Sequence, residues 1–126
     1  MFNTLLVEDN ADFRQALSGI LLSYFPLMGV EEAGDGEEAL GKVEDQRPDL
    51  IFMDIQLPGE NGLEVTRQIK HAYANIVIVI LTSYGLPEYR QQAFRNGADC
   101  FLSKGDGSCM EDILARVEGA IARKRV

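Results

Sequence analysis

The sequence predicts an α/β fold, a doubly wound five-stranded parallel sheet in the order 2-1-3-4-5 with helices on both faces. Two observations support this prediction. Short apolar runs alternate five times with segments of helical spacing, and turn or capping residues separate them. Strands that alternate with helices in this way are joined by right-handed crossovers, which produce a three-layer (βα)5 sandwich.

Length and composition describe one globular domain. The chain has 126 residues, of which nearly half are apolar and a quarter are charged, enough to build a single sizeable core. We assign residues 1–122 to this domain and residues 123–126 to a basic C-terminal tail. The tail is interpreted as a solvated helix end that complements the helix dipole. The alternative is the start of a linker to a further domain.

Charge and cysteine usage exclude several functional classes. The formal net charge of −8 argues against contact with nucleic acid or an anionic membrane by this domain. No apolar run is long enough to span a bilayer, and the N-terminus lacks the charged segment of an export signal. Cys100 and Cys109 form no CxxC pair and suit a reducing compartment. We therefore expect a cytoplasmic protein.

The first two strands and helices follow from capping residues and apolar spacing. Residues 4–7 form the first strand, and Asn10 caps the helix that follows it. Residues 30–33 form a weaker strand, expected near an edge of the sheet. Asp35 and Glu38 resemble a capping box and open the second helix. The buried positions of the first helix are expected at Phe13, Ala16, Leu17, Ile20, Leu21 and Tyr24.

The third strand, residues 50–53, is an apolar run that leads directly into Asp54 and then a Pro-Gly pair. Such a run is typical of a strand covered on both faces. Asp54 therefore lies at the carboxyl end of a buried strand, where open α/β sheets place their ligand sites. An Asp in this position is also a common cap or turn residue. The residues at the ends of the other strands are therefore needed to decide whether Asp54 belongs to a functional site.

The last elements are marked by turn residues. Asn61 caps the third helix, residues 76–81 form an interior aliphatic strand, Pro87 opens the fourth helix and Gly97 ends it. Residues 100–102 form the fifth strand. The buried face of the third helix is expected at Val65, Ile69 and Ala72, and a capping box at Ser108 and Glu111 opens the last helix.

Polar residues end four of the five strands, namely Glu8-Asp9, Asp54, Thr82 and Lys104. These ends meet at one edge of a parallel sheet, and the order 2-1-3-4-5 makes the first and third strands neighbours. Three carboxylates that meet there repel one another unless a cation joins them, and an all-oxygen ligand set favours Mg²⁺. A carboxylate nucleophile, a divalent cation, an ammonium and a hydroxyl are the groups that hold a transferring phosphoryl group.

Together with residues 57–62 after Asp54, this set resembles the receiver (CheY-like) domain of two-component response regulators, which has a flavodoxin-like fold. The resemblance covers essentially the whole chain. It implies that Asp54 accepts a phosphoryl group from a phosphohistidine of a sensor histidine kinase or phosphotransfer protein. It also implies a signalling switch rather than an enzyme, with self-catalysed, Mg²⁺-dependent phosphorylation and dephosphorylation.

The resemblance further implies roles for individual residues. Asp9, Asp54 and the backbone carbonyl of Gln56 would bind Mg²⁺, Glu8 would act through a water molecule, and Lys104 would contact the phosphoryl oxygens.

The remaining implied roles concern switching and lifetime. Thr82 would turn towards the phosphoryl group, and Phe101 takes the place of the aromatic switch residue. Gln56 and Tyr84 would flank the path of the attacking water and so tune the phosphoryl lifetime. The face made by the fourth helix, fifth strand and fifth helix would bind a partner or form a homodimer.

Two positions depart from the usual pattern of the family. Gly105 follows Lys104 where many receivers have a cis proline, so the sequence leaves the isomer of this peptide bond open. Phe101 lacks the hydroxyl of a tyrosine, so switching there would depend on packing alone. Residues 103–106 resemble the receivers of transcription factors that carry a helix-turn-helix output domain.

Two other functional classes were compared with this interpretation. A degenerate receiver that acts as a constitutive protein-binding module would be expected to lack one of the site residues. A flavodoxin would need a phosphate loop where Glu8, Asp9 and Asn10 stand, and a haloacid-dehalogenase-type phosphatase would need an Asp in place of Gln56.

Overall fold

The computed structural model describes residues 1–83, 85–105 and 109–125. Strands and helices alternate throughout this part of the chain. In chain order they are β1 (Asn3–Val7), α1 (Ala11–Tyr24), β2 (Gly29–Ala33), α2 (Gly36–Gln46), β3 (Leu50–Met53), α3 (Gly62–Ala72), β4 (Val77–Thr82), α4 (Pro87–Arg95), β5 (Cys100–Ser103) and α5 (Cys109–Arg125).

The five strands form one parallel sheet in the order β2-β1-β3-β4-β5, which confirms the predicted topology. The register aligns the strand ends, because Val7 of β1 lies beside Met53 of β3. The amide of Asp54 continues this pairing and donates to the carbonyl of Val7 at 3.0 Å. On the other side of the sheet centre, the amide of Lys104 donates to the carbonyl of Thr82 at 2.8 Å. These bonds hold the predicted site residues at the carboxyl edge.

Each face of the sheet packs on a separate buried cluster. Met53, Ile80 and Phe101 point towards α2, α3 and α4, whereas Phe52 and Leu81 point towards α1 and α5. The alternation follows from the strand period of two. All four residues of β3 are buried, as predicted for a strand covered on both faces. Burial of each large apolar side chain contributes about 1.5–3 kcal/mol, so both clusters support the central strand on which Asp54 depends.

The helix termini carry most of the predicted caps. The side chain of Asn10 accepts from the amide of Phe13 at 3.1 Å, and that of Asp35 accepts from the amide of Glu38 at 2.8 Å. The return bond of this second cap goes from the amide of Gly34, instead of that of Asp35, to the Glu38 carboxylate. Pro87 begins α4 and Gly97, with a φ of +100°, follows its end.

Three expected core positions of the helices are exposed instead. Ala16 and Tyr24 of α1 and Ala72 of α3 all face solvent. Leu21 in the last turn of α1 is fully buried, and Phe25, which follows the helix, packs against the core. Tyr24 therefore lies on the solvent side of a turn whose other face is packed. At the end of α3 the half-buried Tyr73 packs against the core in place of Ala72.

Some expectations concern the ends of the described ranges. Tyr84 and the capping residue Ser108 lie outside the described residues. Residues 123–125 of the basic segment belong to α5, and residue 126 lies outside the described residues. No helix in the described ranges is both long and apolar enough to cross a membrane. The described residues contain no cis peptide bond, and this includes the bond between Lys104 and Gly105.

Candidate functional site

The ends of β1 and β3 bring three carboxylates together at the carboxyl edge of the sheet. One oxygen each of Glu8, Asp9 and Asp54 can be chosen so that all lie within 4.8 Å of one another. Glu8 and Asp54 are buried, and Asp9 is exposed. The group lines a pocket of about 580 Å³ that also includes Gln56 and Lys104. Adjacent parallel strands that each end in a carboxylate account for this cluster, as the sequence predicts.

The two oxygens of Asp54 have different surroundings. Asp54 is only 7% exposed, and its Oδ2 lies 3.3 Å from the Nζ of Lys104. Its buried Oδ1 has no hydrogen-bond partner among the residues that the structure describes. A buried carboxylate oxygen without a donor is costly, because it has lost its hydration without a replacement. Such an atom is suited to accept a cation or to react.

Glu8 is the most buried of the three carboxylates, at 5% exposure. It accepts one hydrogen bond from Lys104 and another from the amide of Asn10 at 3.0 Å. Burial raises the pKa of Glu8, and the hydrogen bonds from Lys104 and Asn10 oppose that effect. The negative charge of Asp54 raises the pKa of Glu8 further. The ammonium of Lys104 also lies 4.4 Å from the ring centroid of Phe13, in a cation–π contact.

The loop after Asp54 is held close to the strand end. The amide of Gly62 donates to the carbonyl of Ile55 at 2.8 Å, and Gln56 forms an isolated antiparallel bridge with Asn61. A Cβ on Gly62 would lie 1.8 Å from the backbone oxygen of Asp54, so only glycine fits there. The loop thereby fixes the backbone around Asp54 and Gln56.

The predicted switch residues lie next to this site but inside the core. Thr82 is fully buried at the end of β4, and the following residue, Ser83, lines the pocket. Phe101 is 7% exposed and belongs to the cluster under α2, α3 and α4. Arg90 of α4 lies over the Phe101 ring at 5.9 Å from its centroid. The aromatic residue is therefore already in an inward position in this structure.

Two residues near the site were not found from the sequence. Tyr89 lines the pocket from the first turns of α4. Arg14 of α1 donates to the backbone carbonyl of Glu8 at 2.6 Å. The available signal was topological, because helices that follow parallel strands begin near the carboxyl edge and bring their first turns to it.

The site fits a hard divalent cation. Three carboxylates and the ammonium of Lys104 leave an excess of two formal negative charges. Carboxylate oxygens are the ligands that Mg²⁺ prefers, and the unpartnered Oδ1 of Asp54 offers one of them inside the cluster.

Comparison with known proteins agrees with this geometry. The sequence model of the response regulator receiver domain matches residues 4–118. The chain therefore belongs to the response regulator receiver domain family, whose members are signalling switches of two-component systems.

Individual proteins resemble the chain over most of its length. It is 37% identical over 100 residues to the chemotaxis protein CheY of Halobacterium salinarum, covering 79% of this chain and 82% of that protein. A two-component response regulator from Clostridium difficile superposes with a TM-score of 0.90 at 25% identity, covering 100% of both chains. The response regulator TrrA of Thermotoga maritima, solved in complex with Mg²⁺-BeF, gives a TM-score of 0.83 at 29% identity, covering 95% of this chain and 99% of that one. The chain spans half the length or less of several other curated relatives.

Proposed function

We propose that the domain is a phosphorylation-dependent switch in which Asp54 accepts a phosphoryl group from a phosphohistidine. The donor would be a sensor histidine kinase or a phosphotransfer protein. One observation carries the proposal: a buried carboxylate has one oxygen without a donor and the other beside an ammonium, inside an acidic cluster. This arrangement is costly for a resting protein and useful for a transfer that brings in a cation and a phosphoryl group.

In the proposed step an oxygen of Asp54 attacks the phosphorus atom and forms an acyl phosphate. The phosphorus–nitrogen bond breaks, and its electron pair stays on the imidazole of the donor. Lys104 balances charge on the phosphoryl oxygens. Asp9, Asp54 and the backbone carbonyl of Gln56 would hold Mg²⁺, with Glu8 acting through water. When bound, Mg²⁺ neutralises the carboxylates and the incoming group, which itself carries about −1.5 to −2 charge.

We infer that phosphorylation changes the face made by α4, β5 and α5. A phosphoryl group offers Thr82 a charge-assisted hydrogen bond, and movement of Thr82 would change the packing of Phe101. Arg90 supports a route to the surface, because its Cζ lies 5.9 Å from the Phe101 ring centroid and 5.3 Å from that of Phe94. Phe94 of α4 and Met110 of α5 are exposed, as is Leu86 at the N-cap of α4, and exposed apolar side chains on these elements suit a homodimer or a partner protein.

The lifetime of the acyl phosphate and the wider context are also proposals. Gln56 lines the pocket and is exposed, which suits a residue that meets the attacking water. Tyr84 is proposed to shield the acyl phosphate from the same water. The matched region makes up about half of several curated relatives, and one of these is named a transcriptional activator. We propose that the domain acts in the cytoplasm and controls an output domain or a separate partner.

The direct test is intact-mass measurement after incubation with acetyl phosphate, in Mg²⁺ and in chelator. The parent should gain one phosphoryl group in Mg²⁺ and much less in chelator. Asp54→Asn should lose the adduct because an amide is a poor nucleophile. Asp45→Asn, the same change on an exposed residue of α2, is the matched control and should behave like the parent. An undiminished adduct in Asp54→Asn would place the acceptor elsewhere, and no adduct in the parent would favour a constitutive binding module.

A further inference from the structure

We propose that Arg14 is a positioning residue for the metal site, and that it acts through the backbone of Glu8 with Glu32 as its anchor. The inference rests on the proposed function of the acidic cluster. Arg14 contacts none of the three carboxylates through a hydrogen bond that the structure describes. Its Nη1 instead donates to the backbone carbonyl of Glu8 at 2.6 Å.

The anchor of Arg14 lies on the neighbouring edge strand. The Nε of Arg14 donates to Oε1 of Glu32 at 2.7 Å, and the Arg14 side chain is only 18% exposed. Glu32 belongs to β2, so this one guanidinium joins α1, β2 and the residue that follows β1. A planar guanidinium with several donors can hold two acceptors in fixed directions, which an ammonium on a flexible stem cannot do as well.

The bond matters because the Glu8 carbonyl belongs to the peptide group that leads into Asp9. The amide of Glu8 is already held by the carbonyl of Ala33 in β2, at 2.9 Å. With Arg14 on its carbonyl, both backbone polar groups of Glu8 are fixed relative to β2. Rotation of the Glu8–Asp9 peptide plane would move the start of the Asp9 side chain, which is exposed and has few packing contacts to hold it. Arg14 thus fixes the orientation of the backbone from which the side chain of the proposed ligand Asp9 extends.

Positioning and simple charge predict opposite effects on Mg²⁺ binding. Arg14 carries a positive charge close to the site, so its removal would strengthen cation binding if only Coulomb interactions mattered. Loss of an orienting partner weakens metal affinity, typically by about 10–100-fold where that partner bonds directly to a ligand. Because Arg14 acts one step further away, through the backbone, we expect the lower end of that range.

The test is isothermal titration of the unphosphorylated protein with Mg²⁺. Arg14→Met should weaken Mg²⁺ binding about tenfold. Arg67→Met is the matched control, since Arg67 lies on α3 with a side chain that is 55% exposed and pairs with Glu64. It removes the same charge and should bind Mg²⁺ as the parent does. Melting in chelator is measured in parallel, because a purely structural role would lower the melting temperature and leave the affinity at the control value.

A second variant keeps the charge. Arg14→Lys should also bind Mg²⁺ several-fold more weakly, because one ammonium cannot reproduce the bonds to both Glu8 and Glu32. If Arg14→Met does not fold, the Mg²⁺ affinity of Arg14→Lys tests the positioning role instead. Unchanged or tighter binding in the folded Arg14 variants overturns the inference.

Asp9→Asn distinguishes failure of the proposed metal site from failure of the proposed role of Arg14. If the parent does not bind Mg²⁺, or binds it just as well after Asp9→Asn, the proposed metal site is wrong and the inference falls with it. If Asp9→Asn weakens binding and the Arg14 variants do not, the site stands and only the role of Arg14 is rejected.

Discussion

Lys104 donates a hydrogen bond to Glu8, a residue 96 positions away in the chain. The pair joins the end of β5 to the end of β1 across β3 and β4, and the same ammonium reaches Asp54 at 3.3 Å. The side chains of Lys104 and Glu8 are 14% and 7% exposed. Because so little water surrounds these two charges, each one depends on the other for its electrostatic stabilisation.

Removal of Lys104 should therefore destabilise the metal-free protein. Loss of one partner from a buried ion pair typically costs about 3–5 kcal/mol, and we expect about 2–3 kcal/mol here because water reaches part of the pair. Lys104→Met should also bind Mg²⁺ more tightly, since a competing cation is gone. Urea unfolding in chelator and Mg²⁺ titration measure the two effects. Arg67→Met, which removes an exposed cation paired with Glu64 on α3, should do neither. Equal stability of the two variants would contradict the coupling of Lys104 and Glu8.

The raised pKa of Glu8 predicts a pH dependence of stability in the absence of metal. Because burial raises the folded-state pKa above the unfolded value of 4.5, protonation of Glu8 favours the folded state. That contribution is complete below the unfolded pKa and is lost as the pH rises through the folded pKa. The free energy of unfolding in chelator, measured from about pH 5 to about pH 8, should fall more in the parent than in Glu8→Gln. Parallel curves for the two proteins would show that folding does not raise the pKa of Glu8.

Gly62 should be intolerant of even one methyl group. A Cβ at this position would lie 1.8 Å from the Asp54 backbone oxygen and 2.8 Å from its carbon, so the backbone must move. Gly62→Ala should cost about 3 kcal/mol of stability and slow phosphorylation of Asp54, as overpacking of a rigid contact does. Gly41→Ala on α2 is the control, because no atom lies within 4 Å of its Cβ and alanine favours helix. Urea unfolding and acetyl phosphate labelling report the two effects. Labelling at the parent rate in Gly62→Ala would show that the loop adapts.

Thr82 should transmit phosphorylation without being needed for it. Beryllofluoride with Mg²⁺, used as a stand-in for the phosphoryl group, should perturb NMR signals near Phe101 and promote dimerisation or partner binding. Thr82→Ala should keep the adduct and lose most of this response, since couplings of this kind are about 1–3 kcal/mol. Thr4→Ala, a change in a buried threonine at the other end of the sheet, serves as the control. A full response in Thr82→Ala would show that a residue other than Thr82 transmits the effect of phosphorylation.

The sequence predicts the architecture and the acidic cluster because both depend on the same feature. Apolar runs end abruptly at polar residues, so Glu8, Asp54 and Lys104 could be placed directly after strands. Parallel topology then brings these ends together without knowledge of any side-chain conformation.

The contacts made from helices could not be found in that way. Arg14 lies on the flank of an amphipathic helix, and apolar spacing does not distinguish a solvated arginine from one that spans two strands. The position of Tyr89 depends on the rotation of α4 about its axis. The pairing of Lys104 with Glu8 depends on where a long side chain points, and the predicted contact of Lys104 with the phosphoryl oxygens concerns the phosphorylated protein. These details follow from three-dimensional packing rather than from local sequence.

The last turn of α5 is attached to the end of the sheet opposite Asp54. Lys124 donates to the carboxylate of Asp49, which precedes β3, and to the carbonyl of Met1, at 3.0 and 2.8 Å. The 17 residues of α5 span about 25 Å. For the experimenter, a fluorophore or affinity handle joined after this helix would sit far from the carboxylates and leave them accessible. The α5 terminus is thus an attachment point at which a label or surface anchor would leave the carboxylates free to react.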